Sequence, residues 1–166
     1  MKSSLHRSSR FIALLAIPLI VGSVGAAWLG RPDVKVSLTG TVERDRQAIQ
    51  LEKAGQLNPG EILHWTITSQ NSGTAPAHHY KTIGEIPAGT AYVPGSARAA
   101  GEPTIVYSID GGQSYDARPL LEQKQPDGSV RRVPAPPTMY THIRFEWTEP
   151  LSEGKQLTAF YKVRVK

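Results

Sequence analysis

The strongest constraint on this chain is the alternation of apolar and polar side chains in three stretches, at residues 61–71, 138–147 and 157–166. In EILHWTITSQN, the first of them, the apolar residues Leu63, Trp65 and Ile67 recur at every second position. A period of two places such residues on one face of a strand and leaves the other face wet. Because no stretch after residue 30 repeats with the period of a helix, we predict an all-β chain.

Weaker strand patterns and turn signals fill the space between these stretches. The weaker strands are predicted at 34–39, 48–53, 79–85, 91–93 and 104–109. The turn-forming residues are predicted to be Pro59, Gly60, Asn71, Gly73, Pro87, Gly89, Gly95, Asp110, Gly111 and Gly112. About eight strands separated by short turns favour an antiparallel sandwich of two sheets.

The segment YSIDGGQSY, residues 107–115, could be a turn or a ligand loop. Asp-Gly and Gly-Gly supply the positive φ angles that tight hairpin turns need. A phosphate loop would need a following helix and a Lys-Ser/Thr pair, and neither is present. A calcium loop would need more oxygen ligands than Asp110 and Asp116 offer. We therefore predict a hairpin turn, with calcium binding as the alternative.

The N-terminal segment predicts export. Residues 1–27 combine a basic start, an apolar run and a small-residue end, the pattern of a secretory signal peptide. We expect cleavage near Ala26 or Ala27, a short linker at 28–33 and one β-sandwich domain at 34–166. The alternative is an uncleaved anchor, which would be the chain's sole membrane contact, because about 20 apolar residues just span a bilayer. Either way the domain is expected outside the cytoplasm, as a periplasmic, secreted or membrane-anchored protein.

Charge and cysteine content exclude several classes of function. Three of the 19 basic residues and none of the 14 acidic residues lie in residues 1–27, which leaves a net charge of +2 for the rest of the chain. That value gives no reason to expect a nucleic-acid partner, which would need a basic patch. The chain has no cysteine, so thiol catalysis, iron–sulfur clusters and cysteine zinc sites are excluded.

Motifs in the middle of the chain follow a recognisable order. NPGEILHWTITSQNSG contains a Pro-Gly turn and a strand that ends in Asn-x-Gly, and PAGTAYVPGS follows at residues 87–96. With YSIDGGQSY and PLSEGKQLTAFYKVRV after them, residues 34–166 resemble the bacterial surface "conserved repeat domain", domain of unknown function eleven. Many members have Asp where Gly84-Glu85 precedes Ile86 here, and many carry tandem copies where this chain has one. The resemblance implies an immunoglobulin-like β-sandwich at the cell envelope, with no catalytic residues.

Histidines are the main candidates for other chemistry. His64 and His142 fall on the polar faces of their strands, and His78 and His79 begin another strand. If these strands were neighbours, the imidazoles could bind zinc or copper, although ligands at metal-site spacing are absent. A periplasmic metal-binding module is therefore an alternative function. An envelope hydrolase is a second one, but the chain has no Gly-x-Ser-x-Gly motif and no visible nucleophile–base pair.

The expected function is that of an exported, non-enzymatic module without a cofactor. It would serve binding, adhesion or structural support through contacts with an envelope or surface protein or glycan, using either the loops at one end of the sandwich or strand addition at a free edge. Residues 117–138 are the least regular segment, with a turn expected at Asp127-Gly128. Pro134–Pro137 is expected to be extended and to cover a sheet edge, or alternatively to dock a partner.

Overall fold

A computed structural model describes residues 30–166, so the predicted signal peptide at residues 1–27 lies outside the described residues. All strand pairs in the described part are antiparallel, in a six-stranded sheet, a three-stranded sheet and a separate hairpin. The predicted all-β sandwich is confirmed. In chain order the strands are β1 (Val34–Arg44), β2 (Gln47–Gln50), β3 (Ile62–Asn71), β4 (Lys81–Glu85), β5 (Thr90–Tyr92), β6 (Arg98–Ala99), β7 (Thr104–Ser108), β8 (Leu120–Lys124), β9 (Val130–Pro134), β10 (His142–Glu146) and β11 (Gln156–Val165).

The two main sheets differ in width. The wider one has the order β2-β1-β3-β11-β5, with β6 also paired to β11. The narrower one has the order β4-β10-β7. Their facing side chains form the core, and the period-two patterns identified most of it correctly. Those buried residues include Leu63, Ile67, Ile143, Phe145, Trp147, Ala159, Tyr161 and Val163.

Several predicted strand boundaries were wrong. The predicted strand at 48–53 ends at Gln50, and a short 3₁₀ helix, Leu51–Lys53, follows it. The predicted strand at 79–85 begins at Lys81, because His78 and His79 form a turn in which His79 has a φ of 51°. The chain also forms eleven strands in its described part rather than about eight. Strands of two or three residues are too short for a periodic pattern to reveal.

Residues 117–138 were also predicted incorrectly as an irregular segment. They contain the hairpin β8–β9, whose turn at Asp127-Gly128 lies where the sequence indicated. The Asp127 carboxylate accepts hydrogen bonds from the Ser129 backbone N–H at 2.9 Å and the Ser129 hydroxyl at 2.7 Å. Pro134 ends β9, and the next residue donates its N–H to the Pro119 carbonyl at 2.8 Å. The segment therefore pairs with itself rather than with an edge of either main sheet.

Asn71, the last residue of β3, is completely buried and uses its whole side-chain amide. Its Nδ2 donates to the Ala75 carbonyl at 2.8 Å and the Leu151 carbonyl at 3.0 Å. Its Oδ1 accepts from the Asp33 N–H at 3.1 Å and the Gly73 N–H at 3.0 Å. One side chain thus joins the start of β1, the turn after β3 and the loop before β11. Part of the predicted linker at 28–33 therefore belongs to the folded body.

Gly84 in β4 lies directly over the ring of Tyr161 in β11. A Cβ at this position would lie 2.5 Å from the Tyr161 Cε1, closer than packed atoms tolerate. The Tyr161 hydroxyl donates to the Glu85 carbonyl at 2.7 Å, which ties the two sheets together. Gly84 is required here because it leaves space for a buried aromatic ring.

We expect Asn71→Asp to lower the free energy of unfolding by about 3 kcal/mol or more at neutral pH, because it removes two donors and buries a charge against two carbonyls. Burial raises the pKa of such a carboxyl, so the loss should shrink as the pH falls and the acid becomes protonated. Urea unfolding at several pH values measures both effects. Gln70→Glu is the control, since Gln70 is exposed and faces Lys35, and its cost should stay within about 0.5 kcal/mol. Equal losses in both variants would contradict the role assigned to Asn71.

We expect Gly84→Ala to lower the free energy of unfolding by about 1–3 kcal/mol, because the added methyl overpacks the Tyr161 ring. If the ring is the cause, the same change should cost clearly less in a Tyr161→Leu background. Urea unfolding of the four proteins in this double-mutant cycle measures the coupling between the two sites. Strictly additive losses would show that the contact does not limit residue 84.

Candidate functional site

The four candidate metal-ligating histidines do not converge. His64 lies on the outer face of the wide sheet and His142 on the outer face of the narrow sheet, because their neighbours Leu63 and Ile143 point into the core between the sheets. His78 and His79 lie in the turn before β4. Burial, followed by the nearby positive charge of Lys162, lowers the pKa of His64. Within residues 30–166 no three His, Cys, Asp or Glu side chains group closely enough to hold a metal ion.

The segment YSIDGGQSY reverses the chain, but as a wide loop rather than a two-residue hairpin. Tyr107 and Asp116 exchange two backbone hydrogen bonds, at 2.8 and 3.0 Å, which close the loop. Inside it the Asp110 carboxylate accepts a hydrogen bond from the Ser108 hydroxyl at 2.6 Å and others from the hydroxyl and N–H of Ser114. These bonds, that from Ser108 foremost, lower the pKa of Asp110. The hydrogen-bond donors around the Asp110 carboxylate all belong to its own loop, so the carboxylate stabilises the conformation of that loop.

The remaining predicted turn residues lie in turns or at strand ends. Five of the predicted glycines have positive φ angles, which only glycine adopts without strain: Gly60, Gly89, Gly95, Gly111 and Gly112. Gly73 instead leaves room for the backbone of residues 31–33. Pro59 precedes Gly60 in a turn, and Pro87 accepts a hydrogen bond from the Thr90 hydroxyl at 2.7 Å. These residues shape the scaffold and present no chemically reactive group.

The outer face of the narrow sheet carries charges that neutralise one another. Arg144 forms an ion pair with Glu146, and its guanidinium lies 4.0 Å from the centre of the Tyr115 ring. Lys81 approaches the same Glu146 carboxylate at 3.9 Å. The shallow cleft beside them adds His79 and two threonines. The Glu146 carboxylate therefore lies between two cations, Arg144 and Lys81.

The open edge of β1 is the most distinctive surface of the described chain. Residues 34–40 pair with β3 on one side, while β2 covers the other side only from Thr41 to Arg44. The other free edges are shorter or guarded: β4 has Lys81 and Glu85 at its ends, and β7 is bridged by Asp116. Along β1 the only charged residue between 34 and 40 is Lys35. Sheet edges are usually protected by charged side chains or by being short. The open part of β1 has one charged residue and is seven residues long.

Two apolar side chains of this edge are exposed although they point to the core side of the sheet. Val36 faces Ser69 and Leu38 faces Ile67 across the β1–β3 pair, and both β3 residues are fully buried. Val36 is nevertheless 56% exposed and Leu38 54% exposed. The narrow sheet therefore covers β3 but does not reach over the outer part of β1. The sequence predicted a strand at residues 34–39, which begins correctly at Val34 but ends five residues before β1 does. The pattern could not show that Val36 and Leu38 would lack a cover.

The backbone groups of the same residues point outward. The two-residue turn Asp45-Arg46, with φ angles of 53° and 63°, makes Arg44 and Gln47 a hydrogen-bonded pair. The direction of the backbone N–H and C=O groups alternates from one residue to the next along a strand. Because Arg44 directs these groups towards β2, the other even-numbered residues of β1 also direct theirs away from β3. Asp33, an odd-numbered residue, shows the opposite direction as expected: its carbonyl accepts a hydrogen bond from the Ser72 N–H on the β3 side at 2.8 Å. The open edge thus offers free N–H and C=O groups at alternate residues.

Arg44 and Glu61 form a hydrogen-bonded cluster at the far end of β1. Arg44 Nε lies 2.7 Å from Glu61 Oε1, and its other guanidinium nitrogens donate to the Ala54 and Gln56 carbonyls at 2.6 and 2.8 Å. The Glu61 carboxylate also accepts from the Asn58 N–H at 2.7 Å. The hydrogen bond from Arg44, followed by that from Asn58, lowers the pKa of Glu61 to about 2. This cluster holds the segment after β2 against the end of β1.

We expect the stability supplied by Glu61 to be lost as the pH falls from its ordinary pKa of 4.5 towards 2, because its folded-state pKa is depressed. Above pH 4.5 this contribution is fully present. Glu61→Gln removes the titrating group, so its unfolding free energy should fall less steeply than that of the wild type across this window. Urea unfolding of both proteins over the acid range measures the difference. Parallel pH profiles would show that the Arg44–Glu61 pair does not contribute.

None of the helices in the part of the chain described by the structure is long and apolar enough to cross a membrane. Comparisons with models of protein families, with curated proteins and with solved structures found no match to this chain.

Proposed function

We propose that this chain is an exported, non-enzymatic binding module of the cell envelope, and that the open edge of β1 captures an extended polypeptide by strand addition. One observation carries the proposal: the residues of β1 that offer free backbone groups are also those with exposed apolar side chains, Val36 and Leu38. Strand addition uses this combination, since main-chain hydrogen bonds give affinity and alternate side chains give specificity.

A protein partner fits this edge better than a glycan. Donors and acceptors that repeat along a strand match a second polypeptide in extended conformation. Glycan binding would instead require polar side chains converging around an aromatic platform. The half-buried ring of Tyr115 beside the narrow sheet is already covered by Arg144. Export is supported by residues 1–27 of the sequence, which carry the pattern of a secretory signal peptide.

We expect Leu38→Pro to reduce capture of the partner about tenfold or more, because it removes an outward N–H and places a ring on the edge. The β1–β3 hydrogen bonds should survive, since the Leu38 N–H points away from β3. The measurement is cross-linking in intact cells from a photoreactive residue at Thr39, followed by mass spectrometry of the products. Partner peptides attached at Thr39 should come from an extended segment.

A matched pair of lysine variants controls for exposed leucines in general. Leu38 and Leu120 are 54% and 51% exposed, so Leu38→Lys and Leu120→Lys make the same change on different surfaces. Only Leu38→Lys should weaken capture, and circular dichroism should show that both variants remain folded. Unchanged capture in both Leu38 variants would refute strand addition at β1.

A further inference from the structure

The free part of the β1 edge is a short window with defined ends. Pro32 has no N–H to donate, so it limits pairing on the N-terminal side. The Thr41–Gln50 pair begins the contact with β2 and closes the other side. The window therefore runs from Val34 to Gly40, and its midpoint is Ser37. An occupant must fit seven residues and must pair with outward groups at the even-numbered positions.

We propose that the occupant is a second copy of this chain, bound through antiparallel pairing of the two β1 strands about a two-fold axis at Ser37. This inference rests on the proposed function and names the partner of the same edge. An isologous contact uses one patch twice, so the window must be complementary to itself. The sequence VKVSLTG, read against its own reverse about Ser37, meets that requirement.

The side chains match in this register. Val36 of each copy faces Leu38 of the other, so the two exposed apolar residues cover each other. Lys35 faces Thr39, which keeps the lysines of the two copies from opposing each other. Shifting the axis to Lys35 would place the two lysines directly opposite, a destabilising arrangement of like charges. Charge therefore favours the register about Ser37 over the register about Lys35.

The backbone groups match as well. Val36 and Leu38 both direct their N–H and C=O outward, so they form hydrogen-bonded pairs across the axis. Ser37 then faces its copy at a non-hydrogen-bonded position, where opposing Cα atoms approach to about 4.5 Å. The two wide sheets would join into one continuous sheet. A stable dimer normally buries at least about 1,200 Å², and one strand edge provides less. We therefore expect association that is reversible and depends on concentration.

The Ser37 axis can be tested by disulfide trapping, because the chain has no cysteine. Opposing Cα atoms at about 4.5 Å are within the range that a disulfide bridges. The Ser37→Cys variant is purified after its export by the producing cells. Under mild oxidation it should form a disulfide-linked dimer, with a yield that rises with protein concentration. Ser152→Cys is the control, since Ser152 is also exposed but lies in the loop before β11. Trapping of Ser37→Cys should be at least tenfold faster.

A second variant and a second method decide between the possible outcomes. Adding Val36→Lys to the Ser37→Cys variant should slow disulfide trapping at least tenfold, because it places a lysine charge of each copy beside the two-fold axis. Sedimentation equilibrium of the wild-type chain should show a dimer that Leu38→Pro abolishes. Equal trapping of Ser37→Cys and Ser152→Cys, or a wild type that stays monomeric at high concentration, would overturn the dimer.

The same results separate the dimer from the proposed function. If the wild type is monomeric but Leu38→Pro still abolishes capture in cells, strand addition stands and the partner is a different protein. If Leu38→Pro changes neither association nor capture, both ideas fail. A third outcome is a monomer whose intact mass includes residues 1–29 and whose cross-links from Thr39 join that segment. This result would mean that the chain's own N-terminus occupies the edge.

Discussion

The rest of the structure depends on the buried amide of Asn71. Its four hydrogen bonds hold the segment before β1, the turn after β3 and the loop before β11 in one place. Asn71 also faces Val34, the first residue of β1, so it stands where the β1–β3 register begins. A slip by one residue would turn Val36 and Leu38 to the opposite face of the sheet. The surface that we assign to binding is therefore positioned by a polar interaction in the interior.

The unequal width of the two sheets explains why that surface exists. The narrow sheet has three strands, which cover β3 and β11 but leave the outer part of β1 uncovered. Gly84 and Tyr161 hold the sheets close at the centre, so the narrow sheet cannot move outward to cover β1 without losing that contact. Apolar residues left exposed on an open edge favour association. The exposed edge that we propose for binding is thus a consequence of how the core is packed.

Much of the fold could be predicted from the sequence because alternation with a period of two is a local property. It identified the strands β3, β10 and β11 and their buried faces. It missed the hairpin β8–β9, whose side chains are mostly exposed and so carry no such signal. From the sequence Asn71 was predicted only to be a turn residue. Its structural role could not be predicted, because the four partners of its amide are distant in the chain or belong to the backbone. The hypothesis of converging histidines required strand neighbours that the topology does not provide.

The sequence by itself determined the strand pattern, the turns and the lack of cysteine chemistry, because these depend on residue type and near neighbours. It also carried the self-complementary order VKVSLTG of the β1 window. Only the tertiary structure decided that this window is open, because its exposure depends on where β2 ends and how far the narrow sheet extends. Strand pairing and sheet width depend on contacts between residues far apart in the chain, and no local pattern records them.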